Sequence, residues 1–290
     1  MVLRALLRNR SSIIGMIILG IMLFIAIFAP FLSKYDPEKP LIGIEKVQKR
    51  SPPCIHLLGC PENQPQHLFG IDGNVRDVFS RVLYGARLSL IIGFTTVSFA
   101  IVIGTLLGLL SGYLGGAVDN AIMRAMDVLL SFPSMVTALT IVSILGPGIN
   151  NLVFAIAIYQ IPQFARLTHG QTLTVKSTTY VTAALSVGVP NARILYRHIL
   201  PNIVASIIVQ ISLLIPSAVM MTAGLSFLGL GVTPPTAEWG SMLQDSLKYY
   251  YRAPHLMIYP GLALMMVVFG FNTFGDGLRI SLDPRMRGRF

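Results

Sequence analysis

The sequence predicts an all-α, polytopic membrane protein with six transmembrane helices, and three observations carry that expectation. Hydrophobic residues make up 53% of the 290-residue chain and charged residues only 12%, about half the roughly 25% charged share of soluble domains. Five runs, 11–33, 88–118, 128–165, 198–237 and 253–275, hold no Lys, Arg, Asp or Glu. A helix rising about 1.5 Å per residue needs about 20 apolar residues to cross a hydrocarbon core of roughly 30 Å, and each run is long enough. The few charges collect between the runs and at the two tails. Such a composition excludes most soluble enzymes, disordered chains and disulfide-built scaffolds.

The first span, 13–33, follows Arg4, Arg8 and Arg10. Its apolar stretch from Ile13 to Leu32 exceeds a signal-peptide core and no Ala-x-Ala site follows, so it reads as a retained helix. The second span, 88–112, carries Gly104, Gly108 and Gly112 at four-residue spacing. Those glycines share one face, which lets another helix approach closely, either within the chain or from a partner subunit. The run 128–165 divides at Gly146-Pro147-Gly148-Ile149-Asn150-Asn151, a turn signal, into spans 123–145 and 150–166. Only Leu152 to Tyr159 is continuously apolar in the latter. The fifth span, 203–228, leaves through Gly229-Leu230-Gly231, and the sixth covers 256–278. Pro133, Pro162, Pro216 and Pro260 fall within or beside spans, where each frees a backbone carbonyl and permits a kink.

An even number of spans puts both termini on one side. The tails are basic, with Arg4, Arg8 and Arg10 at one end and Arg279, Arg285, Arg287 and Arg289 at the other, so the positive-inside rule assigns both to the cytoplasm. The formal charge of +10 does not mark a nucleic-acid binder, because the basic residues are scattered among short loops and form no stripe. Cys54 and Cys60, the only cysteines, fall in the loop between the first two spans. Three readings of them stand open: a local disulfide on an oxidising face, two thiols, or a metal site with His56 or His67, although the spacing matches no zinc pattern.

No expected span carries a charge near its centre. Arg124 and Asp127 lie at the start of the third and Asp276 near the end of the sixth. Ion-coupled carriers and voltage sensors need buried ionisable groups, so the driving energy must arrive from elsewhere or the path be passive. The chain has no phosphate-binding Gly-x-x-x-x-Gly-Lys-Ser/Thr loop, no His-Glu-x-x-His and no convergent catalytic set, which argues against an enzyme. Gln160, Gln163 and Gln210 are the polar candidates inside the spans, for a path or for helix–helix bonds.

The segment 166–202 is too long for a hairpin turn and too polar to face lipid. Its stretch 177–187 favours helix, Gly188 and Pro190 break it, and Asn191 can cap a second helix reaching His198. The expected product is a helix–turn–helix at the membrane surface with Ala183 and Ala184 exposed. The spacing Ala183-Ala184-x-x-x-Gly188, followed by His198-Ile199-Leu200-Pro201-Asn202, resembles the coupling loop of binding-protein-dependent ABC importer permeases. Arg76-Asp77 through Gly85-Ala86-Arg87, Leu225-Ser226-Phe227-Leu228-Gly229, Pro234-Pro235, Trp239-Gly240, Gly275-Asp276-Gly277 and Asp283-Pro284-Arg285 match the oligopeptide and dipeptide branch in order. The resemblance spans nearly the whole chain and is weakest at 36–66.

That resemblance implies a type I ABC importer transmembrane domain over 88–290, preceded by a helix and extracytoplasmic loop over 1–87, in a prokaryotic plasma membrane. It implies a non-catalytic permease for di- or oligopeptides, with nickel chelates or another small solute as the alternative. A second homologous permease, two ATP-binding subunits and an extracytoplasmic substrate-binding protein would be its partners. The chain itself would hold no cofactor, ATP and Mg belonging to the ATPases. Docking falls on Thr182, Ala183, Ala184, Gly188, Arg193, Arg197 and His198, although Arg193 and Arg197 also serve as orientation charges and His198 also suits a helix end. Three positions depart from the family pattern: Thr182 stands where Glu is usual, Val75 where Gly is usual and Thr222 where Glu is common. A stand-alone secondary carrier or channel is the rival, and it would require ionisable groups within the spans.

Overall fold

Apolar runs become helices because a hydrocarbon surrounding leaves backbone N–H and C=O groups no partners but each other. The computed structural model describes residues 6–282 apart from Arg8, so Arg4, Arg8, the arginines at 285, 287 and 289 and the Asp283-Pro284-Arg285 match lie outside the described residues. Within them the helices are α1 (Arg10–Leu32), α2 (Val78–Leu114), α3 (Gly116–Leu130), α4 (Ser134–Leu145), α5 (Ile149–Lys176), α6 (Thr179–Ser186), α7 (Asn191–Phe227), α8 (Trp239–Ser246) and α9 (His255–Leu282). The chain is all-α, as expected; the only β pairings among the described residues are isolated bridges, Cys54 with His67 and Ile71 with Asp77.

Span boundaries differ from expectation in four places, each for a local reason. The second helix begins ten residues early, at Val78 rather than at 88, because Asp77 caps it: its Oδ2 accepts from the Ser80 N–H at 2.7 Å. The expected third span, 123–145, is broken into α3 and α4, whose axes turn by 89°. Pro133 lacks the N–H that would continue α3 and pushes Phe132 out of helical geometry. The expected fourth span, 150–166, is the first part of α5, a 28-residue helix that runs on to Lys176. Its second half persists because Thr168 and Thr172 pack against α2. The fifth begins at Asn191, well before 203. Four helices, α1, α2, α7 and α9, are long and apolar enough to cross a membrane, and the bent α3–α4 pair makes a fifth if counted as one span. Length and apolarity do not reproduce the count of six, because α5 is long enough but carries Asn150, Asn151, Gln160, Gln163, Arg166, His169 and Gln171 along its length.

Small residues set the helix spacing. A Cβ added to Gly104 would lie 2.6 Å from the Ile161 carbonyl, and one on Gly112 2.9 Å from Thr172 Cβ, so the glycine row of α2 is filled by α5 of the same chain. Gly15 of α1 meets the backbone of Phe274 in α9 in the same way, at 2.6 Å. The short α8 is tucked under the bundle by Trp239, which is fully buried, donates from its indole nitrogen to the Val82 carbonyl at 3.1 Å and lies on Gly85. One apolar core of buried side chains runs through α1, α2, α4, α5, α7, α8 and α9 and reaches Val181 of α6.

Candidate functional site

The segment between α5 and α7 forms the hairpin on which the sequence places its candidate residues. α5 ends where the Lys176 ammonium donates to the Tyr113 carbonyl at 2.5 Å, at the last turn of α2. α6 follows Thr178, whose hydroxyl donates to the Val175 carbonyl at 2.6 Å. Val181, Ile194 and Ile199 are fully buried and pin the hairpin to the core. At the end of α6 the Gly188 and Val189 N–H groups donate back to Leu185 and Ala184, at 3.0 and 3.1 Å. That turn requires φ of +77° at Gly188, a conformation only glycine adopts without strain.

The outward face carries Thr182, Ala183, Leu185, Ser186, Val187 and Gly188, all exposed, with Ala184 half-buried. The Thr182 hydroxyl donates to the Thr178 carbonyl at 3.2 Å, so the residue standing at the usual Glu position turns inward along its own helix. Nothing lies within 4 Å of the Cβ position at Gly188. Arg193 and Arg197 are exposed and form no ion pair among the described residues, and His198 is half-buried with its ring 6.3 Å from that of Tyr180.

The start of α7 departs from expectation. Asn191 is its first residue rather than its cap, and the Asn191 Oδ1 accepts from the Tyr113 hydroxyl at 2.7 Å. The helix does not end at His198. It passes through a wider π turn over Leu195–Ile199 and continues to Phe227. Pro201 accounts for this, since it has no N–H to give and would clash with the carbonyl four residues back in a regular α turn. Asn202 Nδ2 donates instead to the His198 carbonyl at 2.6 Å. The hairpin is thus continuous with a helix that crosses the bundle.

Between the two ends the interior stays free of charge. Gln160 is fully buried and donates to the Leu214 carbonyl at 3.2 Å, while Gln163 and Gln210 are half-buried. Asp276 and Arg124 are exposed, and Asp127 pairs with Arg166.

The opposite end of the bundle holds buried charges whose pairing the sequence did not reveal, although Arg76-Asp77 stands in the family match and His67 in the open metal reading. Residues 34–77 form a cap over the start of α2 and the segment 228–254. Arg76 Nε donates to Asp72 at 2.7 Å, and Arg81 Nη1 donates to the carbonyls of Pro37 at 2.8 Å and Pro235 at 3.1 Å. Glu238 is fully buried and caps α8, accepting from the N–H groups of Gly240 and Ser241, both at 2.9 Å. Burial pushes its carboxyl above the usual range, and those N–H groups partly offset the shift. His67 lies between Asp77 and Glu45. Cys54 and Cys60 are bonded to each other with Cα atoms 5.4 Å apart, while His56 turns to the Gln64 carbonyl at 2.8 Å. A faint signal exists for the capping carboxylates, since Asp77 and Glu238 each precede a Ser three residues on. None marks the arginines as buried, because the carbonyls that enclose them, those of Pro37 and Pro235, are far away in the chain.

Comparison with known proteins bears on the whole architecture. The profile of the family described as binding-protein-dependent transport system inner membrane component matches residues 104–288. A second profile, the N-terminal TM domain of oligopeptide transport permease C, matches residues 1–53. A dipeptide transport system permease protein of Alkalihalophilus pseudofirmus is 42% identical over 98% of this chain and 89% of its own length. A glutathione transport system permease protein of Pectobacterium atrosepticum is 41% identical over 98% of this chain and 90% of its own. Among solved structures, the inward-facing MetNI methionine ABC transporter aligns with a TM-score of 0.58 at 17% identity, covering 69% of this chain and 94% of that one. An amino acid ABC transporter solved with histidines aligns at 0.53 and 16% identity, over 68% of this chain and 92% of that one. Both likenesses speak for the fold. A bundle without charge in its interior, an exposed hairpin continuous with a crossing helix and relatives of this kind along the full chain lead to one assignment: the chain belongs to the binding-protein-dependent transport system inner membrane components, the multi-pass, non-catalytic permease subunits of ABC importers.

Proposed function

We propose that this permease passes short peptides through the membrane and that the α6–α7 hairpin is the part that receives the force of ATP hydrolysis. The printed names of the relatives, a dipeptide and a glutathione permease, support the substrate class. The assembly holds a second homologous permease, two ATP-binding subunits that carry ATP and Mg, and an extracytoplasmic substrate-binding protein. Both termini and the hairpin face the cytoplasm, while residues 34–77 face outward, consistent with a disulfide at Cys54 and Cys60. In this reading residues 1–87 are an added helix and outer loop, and 88–290 form the transporting domain. Gly104, Gly108 and Gly112 serve its internal packing.

One observation carries the coupling role. The outward face of the hairpin presents short side chains at Thr182, Ala183 and Ser186 of α6 and bare backbone at Gly188 in the turn, with Leu185 and Val187 exposed beside them, yet α6 is held to the core through Val181. A short helix of small residues can seat in a cleft, and its junction with α7 carries displacement into a membrane-crossing helix. Arg193, Arg197 and His198 lie on the first turns of α7 and supply the polar rim of the contact.

Bulky replacement tests it. In the complete transporter reconstituted with its ATPases and binding protein, Ala183→Trp is expected to abolish peptide uptake while ATP hydrolysis continues and the chain inserts normally. Gly188→Leu should do the same, with added backbone strain at φ of +77°. Uptake at the wild-type rate in the Ala183 variant would overturn the coupling role.

A further inference from the structure

The cap contains a side chain that none of the preceding roles uses. His67 is 3% exposed and has a carboxylate at each ring nitrogen: Nδ1 lies 2.8 Å from Asp77 Oδ1 and Nε2 lies 3.1 Å from Glu45 Oε2. A carboxylate only accepts. The arrangement therefore holds one proton more than a neutral imidazole and two carboxylates carry between them. The other oxygens show where it resides. Asp77 Oδ2 already accepts from the Ser80 N–H and hydroxyl, both at 2.7 Å, and Glu45 Oε1 accepts from the Tyr35 hydroxyl at 2.8 Å with the Lys34 ammonium 3.7 Å away. With those donors facing the other carboxylate oxygens, the geometry makes the ring the donor on both sides.

Each carboxylate belongs to a different helix end. Asp77 is the N-cap of α2, and Glu45 reaches Tyr35, three residues beyond the end of α1. The Tyr35 ring also lies against the imidazole, with centroids 5.1 Å apart. Backbone pairing fixes the ring from below, because the His67 and Cys54 N–H groups donate to each other's carbonyls at 3.0 and 2.9 Å, beside the disulfide to Cys60. Asp77, Glu45, Tyr35 and Lys34 are the titratable groups around the imidazole.

We propose that His67 is a proton-dependent positioning residue, an imidazolium clasp that holds the end of α1 to the start of α2 and opens as pH rises. Deprotonation removes one N–H and leaves one carboxylate facing a nitrogen lone pair, so the link to Glu45 or to Asp77 is lost. The clasp is complete when the ring is charged and is lost on the alkaline side. This inference does not depend on the transport reading.

The test uses the complete transporter in lipid nanodiscs and trypsin, which has Lys46 and Lys49 as exposed sites in the cap. The decisive variant is Glu45→Gln. Its amide can donate to a neutral imidazole whose Nδ1–H still serves Asp77, so it keeps both links without the extra proton. From mildly acidic to mildly alkaline pH, wild-type cleavage at these sites should rise about tenfold relative to Glu45→Gln, which also cancels the protease's own pH profile. His67→Gln should be cut rapidly at every pH; if that variant fails to accumulate, the comparison of wild type with Glu45→Gln still decides. Parallel profiles for those two, or strongest wild-type protection at alkaline pH, would overturn the clasp.

Discussion

The two ends of the bundle are held by opposite means. At the cap, buried charges and hydrogen bonds tie distant segments together: Arg81 joins Pro37 to Pro235, Arg76 joins Asp72 to the same segment, and Trp239 closes onto Val82. The hairpin end has no ion pair at all within 177–198 among the described residues and is seated mainly by three buried aliphatic side chains, Val181, Ile194 and Ile199, with a neutral hydrogen bond from Tyr113 to Asn191 beside them. A directional polar network resists displacement, because moving one partner strands a buried charge. Aliphatic contacts are non-directional and tolerate small shifts. The contrast suits a machine fixed at one end and moved at the other.

Substitutions can break that contrast or sharpen it. Asp72→Ala should have the largest effect on folding. It removes the carboxylate 2.7 Å from Arg76 Nε and 3.6 Å from Arg81 Nε, leaving the buried Arg81 guanidinium to carbonyls and that of Arg76 to the Pro235 carbonyl and the half-exposed Asp245, 3.7 Å away. A loss of about 3–5 kcal/mol is expected, read as collapse of thermal stability or yield. Gly108→Val probes the rod between the ends, since its Cβ would fall 2.8 Å from Thr168 Cβ and closer still to the Ala165 carbonyl. Overpacking of this kind costs about 1–3 kcal/mol, and a lowered melting temperature should report it. Val75→Gly should change stability least, within about 1 kcal/mol. Val75 sits at φ of +61°, where a β-branched residue is strained, yet it is buried with Leu41 and Ile71, so released strain and lost burial oppose each other. Denaturant titration would measure the balance.

Much of this was legible beforehand, and the rest was hidden for physical reasons. Absence of charge reveals α1, α2, α7 and α9 because hydrocarbon selects against charge along a whole crossing. The break between α3 and α4 was obscured because Pro133 is as compatible with a kinked span as with a turn of 89°. α5 was read too short because its polar second half is helical only through contact with α2. The hairpin was readable from Gly188 and Pro190, which act locally, but not the π turn, which arises from Pro201 meeting a helix already under way. Val75 was noticed as standing at a glycine position, and its positive φ supplies the reason glycine suits it. Arg76, Arg81 and His67 gave no such sign, since what buries them is tertiary.

The central claim, that the hairpin end meets the ATPase subunits and the cap does not, is tested most directly by site-specific cross-linking in the assembled transporter. A cysteine introduced by Ala183→Cys is expected to cross-link to an ATPase subunit, with a yield that changes on nucleotide binding. One introduced by Leu57→Cys, in an equally exposed position on the cap, should give no such product. Cross-linking to the ATPase from position 57, or none from position 183 in a transporter that still hydrolyses ATP and imports peptide, would contradict it.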